Sequence, residues 1–81
     1  MRSAVQIRVR ASGYLQQKMP GRKAERELLL PAGKTVRDLI EELGLPASQV
    51  WVIRVNGEHV NPTHTLNDGD YVELFPLVGG G

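Results

Sequence analysis

Gly33-Lys34-Thr35-Val36-Arg37-Asp38-Leu39-Ile40-Glu41-Glu42-Leu43-Gly44 carries a sustained helical period. Val36, Leu39, Ile40 and Leu43 fall on one face of a 3.6-residue repeat, and Arg37, Asp38, Glu41 and Glu42 on the other. Thr35 is a good N-cap because its hydroxyl can accept from a free first-turn amide, and Asp38 sets an acidic group near the positive end of the helix dipole. Gly44, followed closely by Pro46, supplies the stop. One helix therefore occupies the middle of the chain, and its flanks decide the fold.

Upstream, Val5, Ile7, Val9 and Ala11 alternate with Gln6, Arg8 and Arg10, the period of a strand with one buried and one wet face. The pattern lapses over 13–24, where Pro20-Gly21 punctuates a turn, and returns in a second strand over 25–30 with Leu28 and Leu30 inward and Leu29 outward. Pro31-Ala32-Gly33 suits a tight turn into the helix. Downstream, Trp51, Ile53 and Val55 alternate with Val50, Val52 and Arg54, which puts Trp51 on the inward register of a third strand. Asn56-Gly57 is a hairpin signal leading to a brief fourth strand. Asp68-Gly69-Asp70 makes the next turn, and Val72 and Leu74 point inward from a last strand ending at Phe75-Pro76. The order β-β-α-β-β-β predicts an α+β domain in which one main helix packs across a mixed sheet. Its expected core is Val5, Ile7, Val9, Leu28, Leu30, Val36, Leu39, Ile40, Leu43, Ile53, Val55, Leu66, Val72 and Leu74.

The 81 residues suffice for one domain, which at this size buries roughly 60% of the surface its unfolded chain exposes. Ten Lys and Arg against nine Asp and Glu leave a net charge of +1, which gives no global electrostatic reason to expect nucleic acid or a membrane as partner. Cysteine is absent, so no thiol chemistry can originate in the chain. Arg8 and Arg10 break the N-terminal stretch, leaving no export signal and no membrane span, and a soluble cytoplasmic protein is expected. No Ser-His-Asp set, P-loop or paired carboxylates occur at recognisable spacing, so catalysis by this chain alone is not expected. His59 and His64 lack a compact ligand motif and read as surface histidines, so no metal is expected.

The last residues, Leu77-Val78-Gly79-Gly80-Gly81, read as a flexible tail (77–81) on a folded body (1–76). Three successive glycines add no packing and weaken any regular element. They offer instead a thin strip of main chain ending in a carboxylate, narrow enough for an enzyme channel that would reject any Cβ. Ordering the last three or four residues there costs roughly 3 to 8 kcal/mol of backbone entropy, which docking contacts elsewhere must offset.

Taken together, Pro31-Ala32-Gly33-Lys34-Thr35-Val36-Arg37-Asp38-Leu39, Val55-Asn56-Gly57, Leu66-Asn67-Asp68-Gly69-Asp70, and Phe75-Pro76 shortly before Gly80-Gly81 resemble the MoaD/ThiS sulfur-carrier proteins with a ubiquitin-like β-grasp fold. The likeness spans nearly the whole chain and is nearest to the small subunit of molybdopterin synthase. The resemblance implies that the Gly81 carboxylate is adenylated by a partner similar to ubiquitin-activating enzymes, which uses ATP, and then becomes a thiocarboxylate, with Gly80 as its slender neighbour. No cofactor is bound by the carrier itself. The large subunit of molybdopterin synthase, or a thiazole synthase, would then receive the tail and the sulfur. A thiamine-pathway carrier, a protein modifier joined to target lysines through Gly81 and a non-covalent β-grasp module remain the alternatives.

Period two puts Phe75 on the sheet face away from the helix, with Leu29 and Val52 as expected companions, and suggests a docking site. Phe75, Pro76, Leu77, Val78 and Gly79 are the expected partner-binding residues along the tail, joined by Arg8, Arg10, Arg54 and His59 on the face. Relatives commonly carry apolar residues where Arg10 and His59 stand. An acidic rim around an apolar pocket would fit such a patch. Lys18, Arg22, Lys23 and Arg26 make a basic stretch interrupted by Glu25, and read as a solvated loop.

Overall fold

The computed structural model describes residues 3–77. Strands β1 (Ala4–Ala11), β2 (Glu25–Pro31), β3 (Val50–Val55), β4 (Glu58–His59) and β5 (Tyr71–Pro76) form one sheet in the order β2-β1-β5-β3-β4. β1 and β5 run parallel, and the other neighbours are antiparallel. Among the described residues one α-helix, α1 (Val36–Glu42), buries Val36, Leu39 and Ile40 in the same core as the inward residues of β1, β2, β3 and β5. This is the mixed five-stranded β-grasp expected from the sequence.

Thr35 caps α1 reciprocally. Its amide and hydroxyl donate to Asp38 Oδ2 (2.9 and 3.1 Å), and the Asp38 amide donates to Thr35 Oγ1 (3.3 Å). The next orphan donors find the 62–64 segment: the Val36 amide donates to the His64 carbonyl and the Arg37 amide to that of Pro62. The hydrogen bonds from the Thr35 main chain, then from its side chain, hold the Asp38 carboxyl below its ordinary value of 3.8. A carboxyl whose folded pKa is lowered contributes stability above the unfolded value and loses it as pH falls through the folded value. The stability advantage of the wild type over Asp38→Asn should therefore shrink as pH drops below 3.8 and vanish in stronger acid, as parallel thermal melts of the two proteins would show.

At the other end of α1, Gly44 takes φ 73°, its amide donates to Glu41, and the Leu45 amide donates to Ile40. That geometry brings the residue after the glycine back onto the helix, so Leu45 is buried although the periodic pattern ends before it. Leu15 and Met19, in the 13–24 segment where the strand pattern lapses, are also buried. Two short 3-10 turns, Gly13–Lys18 and Pro20–Arg22, fold this segment across one end of the core. Of the expected core, Leu28 is only partly buried and the remaining residues are all buried.

Trp51 departs from the expected inward register. The pairing of β3 with β5 slips between Val50 and Val52, so two residues of β3 oppose one of β5, and Trp51 is the extra residue. The bulge resets the alternation and leaves the indole 68% exposed.

The Asn56-Gly57 hairpin has positive φ at both residues, as its turn type requires. It is tied to the start of β5 through Asp70, the one buried polar residue among those described. Asp70 Oδ1 accepts from Asn56 Nδ2 (2.9 Å) and Oδ2 from the Asn67 amide (2.8 Å), while the Tyr71 amide donates to Asn56 Oδ1 (2.9 Å). One carboxylate thus locks two turns together and fixes where β5 begins.

Candidate functional site

Because β1 and β5 run parallel, their C-terminal ends lie at the same edge, and the loop leaving β1 meets the residue leaving β5. The Ser12 amide donates to the Leu74 carbonyl (3.0 Å). Gly13, at φ 59°, lies so close to the last residue of β5 that a Cβ there would stand 2.9 Å from Pro76 Cγ. Tyr14 Oη donates to the Leu77 carbonyl (2.9 Å), and the Leu77 amide donates to the Gln49 carbonyl (3.0 Å). Leu77, assigned to the tail by sequence, is thereby hydrogen-bonded on both sides. Val78, Gly79, Gly80 and Gly81 lie outside the described residues.

The sheet face opposite α1 carries the other expected site residues. Phe75 is half-buried, pairs across the strands with Val52 and lies under the Arg54 guanidinium, 5.4 Å from the ring centroid. Arg54 Nε also donates to His59 Nε2 (3.3 Å). Phe75, Val52, Arg54 and His59 therefore form one group at the tail end of the face. Arg8 does not join it. It stacks over Tyr71 at 5.2 Å with a Glu25 oxygen 4.0 Å away, and Tyr71 stands four residues from Phe75 along β5, about 13 Å. Leu29 is exposed as expected but is no companion of Phe75: it pairs with Gln6 on the far edge strand, about 20 Å along the strand direction from the level of Phe75.

Charge on this face alternates. Register places Glu73 between Arg10 on β1 and Arg54 on β3, and sets Arg10 beside Glu25 and Arg8 beside Glu27. The arginines that looked in sequence like one basic patch are interleaved with carboxylates, and Arg54 is the one that reaches the apolar group.

Among the described residues, three of the four exposed large apolar side chains, Tyr14, Trp51 and Leu77, collect around the exit of β5, and sequence reasoning did not assign Tyr14, Gln49 or Trp51 to the site. No local signal marks Tyr14, since its partner is 63 positions away and only the parallel pairing of β1 with β5 brings them together. Lys18, Arg22, Lys23 and Arg26 are all exposed. Among the described residues no group of three or more His, Cys, Asp or Glu could hold a metal ion, and no helix is long and apolar enough to cross a membrane.

Comparison with known proteins decides what kind of platform this is. The family model described as the ThiS family matches residues 13–81. The chain belongs to the ThiS family. Among solved structures, this ThiS-family chain is similar to a candidate molybdopterin converting factor subunit 1 from Pyrococcus furiosus, with 34% identity over 91% of this chain and 99% of that one, at a TM-score of 0.71. Small archaeal modifier protein 1 from Haloferax volcanii shares the fold at 17% identity, with 91% of this chain and 99% of that one covered and a TM-score of 0.73. The same fold recurs in a complex of subunits 1 and 2 of molybdopterin-converting factor from Helicobacter pylori, at 24% identity, 95% and 100% coverage and a TM-score of 0.54. The ThiS-family chain is thus a small ubiquitin-like sulfur-carrier protein.

Proposed function

We propose that this chain carries sulfur as a thiocarboxylate on Gly81 and donates it in the synthesis of molybdopterin. The observation that carries this reading is the 34% identity to the candidate converting factor subunit over 91% of the chain. The chemistry divides into two steps. A carboxylate is a poor electrophile, so a partner first joins a Gly81 oxygen to the α-phosphorus of ATP and releases pyrophosphate. A sulfide-equivalent nucleophile then attacks the acyl carbon and expels AMP, leaving sulfur on the main-chain terminus. The carrier supplies the handle and the docking face, and the partners supply catalysis. The partners are an adenylating enzyme in the cytoplasm and a large synthase subunit, as in the two-subunit complex of the Helicobacter relative.

The group Phe75, Val52, Arg54 and His59 is the docking anchor in this reading, with Pro76 and the residues after it entering the partner. The ring under a guanidinium fits an apolar pocket with an acidic residue at its rim. ATP–pyrophosphate exchange by the adenylating partner tests the first step: exchange must depend on this chain. In the same assay Phe75→Ala should raise KM by about 30-fold, the size of an anchor residue's loss. An unchanged KM would remove Phe75 from the interface.

The ThiS family match favours a second destination for the same sulfur, a thiazole-forming enzyme of the thiamine pathway. Rescue of each cofactor pathway by this chain in cells lacking their own carrier separates the two.

A further inference from the structure

The exit of β5 is gripped from two sides. Tyr14 is 42% exposed, and its hydroxyl holds the Leu77 carbonyl. The Gln49 carbonyl holds the Leu77 amide from the opposite side, on the turn before β3. Gly13, immediately before Tyr14, lies against Pro76 with no room for a side chain. The Gln49 bond closes the ladder of β3 with β5 beside the Val50–Pro76 pair, whereas the Tyr14 bond lies beyond the ladder with β1, which finishes at Leu74. Both hydrogen bonds fall on Leu77, the first residue after β5.

We infer that Tyr14 is a positioning residue, which fixes the direction of the main chain at Leu77 and so narrows the directions from which the Gly81 acid approaches the partner's nucleotide. The inference rests on the proposed function and adds to it a residue of the loop after β1. Reaction rates fall steeply when a reacting group is misplaced by about 1 Å. The docking face around Phe75 does not involve the Tyr14 hydroxyl, so its loss should spare binding and lower turnover.

Tyr14→Phe removes the hydroxyl and nothing else. By NMR, amide hydrogen exchange at Leu77 should rise about 5-fold, the net worth of one neutral hydrogen bond, with exchange in the centres of β1 and β5 unchanged. In pyrophosphate exchange, kcat should fall by a similar factor with KM unchanged, whereas a general loosening of the fold would move the central strands as well. Unaltered exchange at Leu77, or raised exchange with wild-type kcat, overturns the inference. If the wild-type chain is not adenylated at all, the proposed function fails by itself, and the exchange measurement still decides whether Tyr14 holds Leu77.

Discussion

Deleting Gly80 and Gly81 is expected to abolish adenylation while leaving docking intact. Two residues of extended chain span up to about 7 Å, so the shortened acid would stop that far from the nucleotide. Misplacement by only about 1 Å costs on the order of 100-fold, so no measurable turnover should survive. Phe75, Val52 and Arg54 are untouched by the deletion and remain in their cross-strand arrangement. The truncated chain should therefore compete with the intact one for the partner at nearly equal affinity. Pyrophosphate exchange with and without the truncated competitor measures both effects. Activity within tenfold of wild type would mean that the terminal acid is not the reacting group.

Asp70→Ala should have the largest effect on stability of any single polar change in the described residues. The side chain is 7% exposed and each oxygen accepts a bond, from Asn56 Nδ2 and from the Asn67 amide. Truncation leaves both donors without the charged acceptor that each now has. The expected cost is about 3 kcal/mol, a large share of the roughly 4 to 12 kcal/mol available to a chain of this length. Thermal unfolding should begin more than about 10 °C lower. Asp70→Asn, which keeps one acceptor, should fall between the two. A shift of only a degree or two in Asp70→Ala would show that the two turns hold without the carboxylate. The link to function is geometric: Asp70 fixes where β5 starts, and the length of β5 then fixes where Leu77 leaves the sheet.

The elements legible in the sequence are those whose side chains repeat. Val5, Ile7 and Val9 on β1, Val36, Leu39 and Ile40 on α1, and Val72 and Leu74 on β5 all took the faces that periods of 2.0 and 3.6 assign them. Thr35 and Asp38 announced the capped start of α1, and Asn56-Gly57 the hairpin. What the sequence hid was produced by breaks in period. Trp51 faces out because a bulge adds one residue to β3, and nothing in Val50-Trp51-Val52 marks that insertion. Leu15 and Met19 enter the core from 3-10 turns too short to show a repeat. Leu45 was within reach, since an apolar residue directly after a helix-ending glycine commonly folds back onto the helix.

For the candidate site, the sequence shows which side chains share a face and not where they stand on it. Period two put Phe75, Leu29 and the arginines on the right face, yet face says nothing of strand order. Only the order β2-β1-β5-β3-β4 shows that Leu29 and Arg8 stand away from Phe75, that Arg54 covers its ring, and that Glu73 divides Arg10 from Arg54. The contact between Tyr14 and Leu77 is of the same kind, a consequence of two parallel strands ending side by side.

The most direct test of a main-chain acid used as a sulfur handle is mass spectrometry of the intact chain after incubation with its adenylating partner, ATP and a sulfide source. The expected result is replacement of one oxygen by sulfur, dependent on ATP and located by fragmentation on Gly81. An unchanged mass under conditions where the chain supports pyrophosphate exchange, or sulfur located on any other residue, would contradict it.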